Sequence, residues 1–338
     1  MAKDKKKKKK KGVKEGNYSE ALKRYEEALR NAEQLGDLSG KATSLNNIGS
    51  IFSHQGNYPE ALKRFEEALQ IAEQLGDLSV KATSLNNIGS IYYDQGNNPE
   101  ALKRHEEALQ IAEQLGDLSV KATSLNNIGW IYHDQGNNPE ALKRFEEALQ
   151  IAEQLGDLSV KATSLKNIGE IFRAQGNNPE ALKRFEEALQ IAKQLGDLRV
   201  KATSLNNIGS IFSHQRNLPE ALKRYEEALQ IADQLGDLRV KSLSLNNTGS
   251  IYQRQGNYPE ALKRFEEALQ IVEQIGFLRV KSLSLNNIAN IYYAKRNYPK
   301  ALEYLEKAIQ ILTQLGLSES PSGKIPKENM EALKKIMK

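Results

Sequence analysis

The residues of this chain with the most evident chemical potential are its adjacent carboxylates and its four histidines. Glu66-Glu67 and the copies of that pair would serve as acid and base if both faced one pocket. Neighbouring helical residues point about 100° apart, however, and each pair sits beside a Lys-Arg pair such as Lys63-Arg64, so solubilising ion pairs are the expected role. Metal binding by His54, His105, His133 and His214 would require convergence that the spacing does not provide. His54 and His214 occupy equivalent positions in different repeats, and His105 stands where a sister repeat carries Phe145, which makes it a packed or half-exposed histidine and not a ligand. With no Cys there is no disulfide framework, thiolate zinc site or cysteine nucleophile, and a reducing, cytoplasmic setting is the expectation. Phosphate-cradling GxxxxGK[ST], a strand-borne GxGxxG and a nucleophile elbow are all missing. The reading is of a protein that is not an enzyme and needs no metal or cofactor.

What these residues share is a period. The segment beginning at Asn57 returns almost unchanged from Asn97, Asn137, Asn177, Asn217 and Asn257, with weaker copies from Asn17 and Asn297, always forty residues apart. Such a period marks a stacked array in which no unit can bury its apolar face alone. Leu85, Ile88, Ile91 and Tyr92 recur at helical spacing, as do Ala101, Leu102, Ala108, Leu109 and Ala112, so each unit is two amphipathic helices. Between them Gly96 suits a left-handed helix terminus and Pro99 the first turn of the next helix. Gly116 then ends one unit, and Asp117 or Ser119 caps the next. Gly89 lies within a helix at a cost of about 0.5–1 kcal/mol relative to Ala. Its recurrence predicts close approach of the paired helix, with Ala101 and Ala108 opposite.

Leu85, Ile88, Gly89 and Tyr92, then Ala101, an aromatic such as Phe145, and Ala108 resemble the signature of the tetratricopeptide repeat family over roughly residues 15–317. The unit is longer than the usual one of about 34 residues, and Leu85 stands in place of a common Trp. The longer unit is similar to that of the Leu-Gly-Asn polarity adaptors and, more distantly, kinesin light chain; bacterial and archaeal sensors use similar arrays. The resemblance implies an all-α, right-handed superhelical α-solenoid of antiparallel helix pairs, with the first helix of each pair lining the concave surface.

Three segments follow: a basic, disordered tail over 1–14; an array over 15–317 made of an N-terminal half repeat and seven helix pairs; and a linker with a C-terminal capping helix over 318–338. Residues 1–12 hold eight Lys and Asp4, more than the whole formal charge of +5, so the body is slightly acidic. That tail is expected to be a solvated arm, with nucleic acid or an anionic membrane as the alternative contact. The apolar runs are far shorter than the roughly 20 residues a membrane span needs. Lys residues occupy the register where a first helix would precede Tyr18. The face carrying Ala21, Leu22 and Tyr25 is therefore expected to be partly uncovered or covered from outside, a possible self-association edge. At the other end Ile325, Met330, Leu333 and Met337 mark the capping helix.

Thr83, Asn86, Asn87, Ser90, Tyr93 and Asp94 form a polar stripe beside the core residues of the first helix. Its asparagine pair recurs as Asn46/Asn47, Asn126/Asn127, Asn206/Asn207, Asn246/Asn247 and Asn286/Asn287, and becomes Lys166/Asn167 in the fourth copy. An amide carries both an acceptor and donors, so these side chains can bridge the backbone of an extended peptide or satisfy one another between neighbouring helices; both readings stand. The copies differ most along this stripe, where Ser90 aligns with Trp130 and Glu170, and Tyr93 with His133 and Arg173. The third and fourth units form a distinct centre, with Trp130 as the candidate hot spot. The function expected is a protein-interaction scaffold or adaptor holding an extended peptide or partner segment in its groove. A regulatory or sensor array from a larger signalling protein is the alternative.

Overall fold

A computed structural model of the chain describes residues 18–318 and 320–337, so the Lys tail lies outside the described residues. Among these, sixteen helices follow one another without a strand. A lone α1 (Tyr18–Leu35) precedes seven pairs: α2 (Leu38–His54) with α3 (Tyr58–Leu75), α4 (Leu78–Asp94) with α5 (Asn98–Leu115), α6 (Leu118–Asp134) with α7 (Asn138–Leu155), α8 (Leu158–Ala174) with α9 (Asn178–Leu195), α10 (Leu198–His214) with α11 (Leu218–Leu235), α12 (Leu238–Arg254) with α13 (Tyr258–Ile275), and α14 (Leu278–Ala294) with α15 (Tyr298–Gln314). Helix α16 (Pro321–Met337) closes the chain. No described helix is long and apolar enough to cross a membrane.

Local chemistry sets these boundaries. Asp77 and its copies accept the backbone N–H of Val80 or its equivalents, and Asn97 accepts that of Glu100 just before Pro99 in the first turn. Gly76 ends α3 at φ 66°, in the left-handed region where a side chain is strained. At the other turn Gly96 has φ 81°, but the two copies that carry Arg there, Arg216 and Arg296, hold φ 62° and 57°.

The recurring interior glycine makes room for a ring, not for the alanines opposite. A Cβ on Gly89 would lie 2.7 Å from the imidazole of His105, and one on Gly129 2.5 Å from the ring of Phe145. Where the ring becomes Leu305, the glycine becomes Ala289, and both are buried in one cluster. The pair covaries because one methyl fits under a leucine and not under an aromatic ring.

The coil is tight enough to return on itself. Ile275 lies over Gly56 and Leu315 over Gly96, so the turns ending α13 and α15 sit on the turns ending α2 and α4. This return also covers the start of α1: Tyr18 and Ala21 are buried in a cluster shared with Leu235 and Val240, and Leu22 and Tyr25 pack against it. The face expected to await an outside partner is thus partly covered by the chain's own next turn, a result of superhelical pitch. Farther along α1 the face stays open, for Ala28 is exposed where Ala68, Ala108 and Ala148 are fully buried.

The capping helix departs from its expected face. Leu333 is buried and Met330 packs on the last repeat, but Ile325 and Met337 are about half exposed, at 51% and 47%. Buried Pro326 shares the inward face instead, together with Asn329, which donates to Asn286 Oδ1 at 3.1 Å. Polar bonding to the last repeat, rather than apolar spacing alone, sets the helix's rotation.

Candidate ligand chamber

The even-numbered helices form the inner wall, and their asparagines form a ladder. Asn46 Nδ2 donates to Ser84 Oγ at 2.9 Å, Asn86 to Ser124 at 2.8 Å, and Asn126, Asn206 and Asn246 to Ser164, Ser244 and Ser284 at 2.9 Å each. The second asparagine of the next unit closes the rung: Asn87 donates to Asn46 Oδ1, Asn167 to Asn126, Asn247 to Asn206, and Asn287 to Asn246. The first asparagines are buried. Most of the second ones, including Asn47 and Asn207, are half-buried on the wall, and Asn167 is fully buried. Of the two roles open to these amides, mutual satisfaction between helices is present in most rungs of the array, though Asn127 faces His105 Nδ1 instead of Asn86.

The ladder has one broken rung. Lys166 replaces the first asparagine on α8, and across from it Ser204 Oγ is buried without a partner, as is Asn167 Oδ1 on the next residue. Burial, with Arg199 nearby, lowers the Lys166 amine to about 8.

Inside the coil lies a cavity of about 520 Å³. Of the expected site residues, Asn87, Asn126, Asn127, Trp130 and Asn167 line it. Trp130 is half-buried, packed edge-on against Phe145 at 5.9 Å and His133 at 5.4 Å, so it is a wall residue as well as a surface. His133, Glu170 and Arg173 are occupied locally instead. His133 Nδ1 lies 2.8 Å from Asn138 Oδ1, and Arg173 donates to Glu170 Oε2 at 2.7 and 2.9 Å. Asn46, Asn47, Asn86, Asn206, Asn207, Asn246, Asn247, Asn286 and Asn287 are not among the lining residues. Asn86 Oδ1 instead lies 2.9 Å from His105 Nδ1, with Asn127 Nδ2 3.4 Å from the same nitrogen.

Arg199, Arg239 and Arg279, which the inner-stripe comparison missed, complete the wall. Arg239 pairs with buried Asp94 at 2.6 Å and Arg279 with Asp134 at 2.7 Å, each joining one turn of the superhelix to the next. Arg279 also covers the ring of Tyr93 at 4.6 Å. At the start of this seam Asp237 accepts from Arg199 at 3.2 Å and from the Tyr18 hydroxyl at 3.3 Å. A signal was present in the sequence: the Ser of the first four copies, such as Ser79, becomes Arg in the next three. The pairing itself depends on how many repeats complete one superhelical turn. No cluster of three or more metal-ligating side chains occurs among the described residues.

The model of the tetratricopeptide repeat matches residues 13–74, 80–154, 160–234 and 241–314. The chain belongs to the tetratricopeptide repeat family. Arrays of this family are protein-interaction scaffolds, and this one shares its overall shape with several solved members. A Rap conjugation gene regulator of the plasmid pLS20, in complex with a Phr peptide, superposes with a TM-score of 0.67 at 17% identity, covering 84% of this chain and 77% of that one. A Rap protein complexed with Competence and Sporulation Factor gives 0.61 at 15% identity, over 94% and 98%. The signal transduction ATPase with a tetratricopeptide repeat sensor from Pyrococcus horikoshii gives 0.55 at 17% identity, over 94% of this chain and 50% of that protein. At these identities the likeness is one of fold. No curated protein matches the sequence.

Proposed function

We propose that this tetratricopeptide array is a scaffold that holds a short extended segment of another protein inside its superhelix. The observation that carries the reading is the cavity on the inner wall, within the range of about 300–1,000 Å³ typical of ligand sites and lined by convergent amides, Trp130 and cations. Asn87 gives its amide nitrogen to the ladder and is only half-buried, so its carbonyl oxygen is the group offered to a peptide N–H. The solved Rap complexes with a peptide or a signalling factor bound lend support by analogy of fold. A regulatory array is the second reading, favoured because Asp94, Arg239 and Arg279 belong both to the chamber wall and to the seam between turns. Any occupant that displaced them would couple binding to closure.

Panning a random peptide library against the intact chain tests the first reading, with Trp130, the sole Trp, as a built-in fluorescent reporter. Selected peptides should change its emission and compete with one another. Peptides that bind without altering Trp130, and that survive its replacement by Leu, would place recognition elsewhere.

A further inference from the structure

At Lys166 the asparagine ladder of the inner wall is interrupted, and Ser204 across from it is left without a hydrogen-bond partner. In the intact rungs the asparagine supplies an oxygen that accepts from the next unit and an amide that donates to the facing serine. Lysine has three donors and no acceptor, so it removes that oxygen and adds a charge. The other cations lining the cavity are matched by the chain's own carboxylates: Arg199 by Asp237, Arg239 by Asp94, Arg279 by Asp134. Lys166 has no such partner at contact distance; Glu170 and Asp197 influence it only through space. The buried Ser204 Oγ across from it is without a partner as well, a hydroxyl whose proton has no acceptor. What is missing there is one singly charged acceptor.

We propose that Lys166 forms a carboxylate subsite of the chamber, taking the side chain of an Asp or Glu in the middle of the bound segment. This rests on the reading that a peptide occupies the cavity. A side chain fits better than a chain end, because the lining runs past Lys166 in both directions along the coil, from Ser50 on α2 to Arg279 on α14. A carboxylate fits better than a dianion, because only one cation is unmatched. The amine is still mainly protonated at neutral pH, and an arriving carboxylate would raise its pKa by favouring the charged form.

The test uses the full chain labelled at the lysine ε-carbon, with the Lys166 resonance assigned by its loss in Lys166→Asn. That variant restores the sequence of the sister repeats, so it should fold at least as well. Three probes are titrated: a capped penta-alanine with a central Asp, the same peptide with a central Asn, and penta-alanine with a free carboxyl terminus. The Asp peptide should shift the Lys166 signal and raise its pKa, and should bind about tenfold more tightly than the Asn peptide, a preference lost in Lys166→Asn. Equal binding of the Asp and Asn peptides, with Trp130 emission changing for both, overturns the subsite and leaves the peptide reading intact. A response to the free carboxyl terminus alone overturns the side-chain assignment. If no probe moves either Lys166 or Trp130, the subsite fails together with the chamber as a peptide site.

Discussion

The outer and inner surfaces of this superhelix are built from the same repeats yet behave differently. Outside, most units repeat one ionic pattern: Lys81 bridges Glu73 and Glu107, Lys121 bridges Glu113 and Glu147, and Lys161 bridges Glu153 and Glu187, whereas Lys201 meets only Glu227 because Lys193 takes the place of the other acid. Exposed pairs of this kind are worth about 0–1 kcal/mol each, so their uniformity costs and gains little. Inside, each arginine of the chamber wall has its own carboxylate, that of Arg239 and Arg279 in a different turn of the coil, and Asp94 and Asp237 are buried. Removing one partner of a buried pair leaves an uncompensated charge. Arg239→Ala should therefore destabilise the fold by about 3–5 kcal/mol, because it strands Asp94, which is 2% exposed. Arg64→Ala, which breaks the half-exposed helical pair with Glu60, should cost under about 0.5 kcal/mol. Urea titrations of the two variants measure the contrast. Equal losses would remove the distinction between the walls. Arg239→Ala should also make Trp130 easier to quench with acrylamide, since the seam is part of the chamber wall.

The second test sets one repeat against its sisters. His105 fills the ring position occupied elsewhere by Phe65, Phe145 and Phe185, and burial lowers its pKa to about 3. Its unfolded value is about 6.5, so the unfolded chain takes up a proton first as pH falls. Stability from keeping this ring neutral is complete above about pH 6.5 and is lost progressively toward pH 3. Between pH 7 and 4 the loss should be on the order of 2–3 kcal/mol. His105→Phe should flatten that slope, though not abolish it, because burial lowers His54 in the same direction. An unchanged pH profile in His105→Phe would show that this imidazole is hydrated after all.

How far the inner wall could be read from the sequence depends on the range of the interaction. Helix ends, pairing and the asparagine stripe follow from residues within one forty-residue unit, and Gly96, Pro99 and Asp117 announce them directly. The ladder was legible as one of two uses of the same amides, since it joins neighbouring units. The seam was not, because Asp94 and Arg239 meet only through the pitch of the superhelix, which no local pattern encodes. Trp130 falls between these cases. Its place on the stripe was evident, but its packing against Phe145 was not, and this alters the expected cost of removing it. Trp130→Ala should cost about 2 kcal/mol of stability as well as weaken a ligand, roughly half the value for a fully buried aromatic. An unchanged thermal midpoint would return Trp130 to a purely exposed role.

The smallest effect separates the repeats by their turns rather than their walls. Most copies end the first helix on a glycine with positive φ, whereas Arg216 and Arg296 hold φ 62° and 57° with a side chain in place. The left-handed region costs a non-glycine residue about 1–2 kcal/mol, and the glycine substituted there gives back part of that gain through its freer unfolded state. Arg216→Gly should thus stabilise the protein by about 0.5–1 kcal/mol, seen as a small rise in the urea midpoint with no change in slope. Gly176→Arg, the reverse change at an open turn where a Cβ meets nothing within 4 Å, should lower it by a similar amount. Because neither turn touches the chamber, both variants should leave Trp130 emission unchanged, and a shift there would mean that turn strain reaches the inner wall.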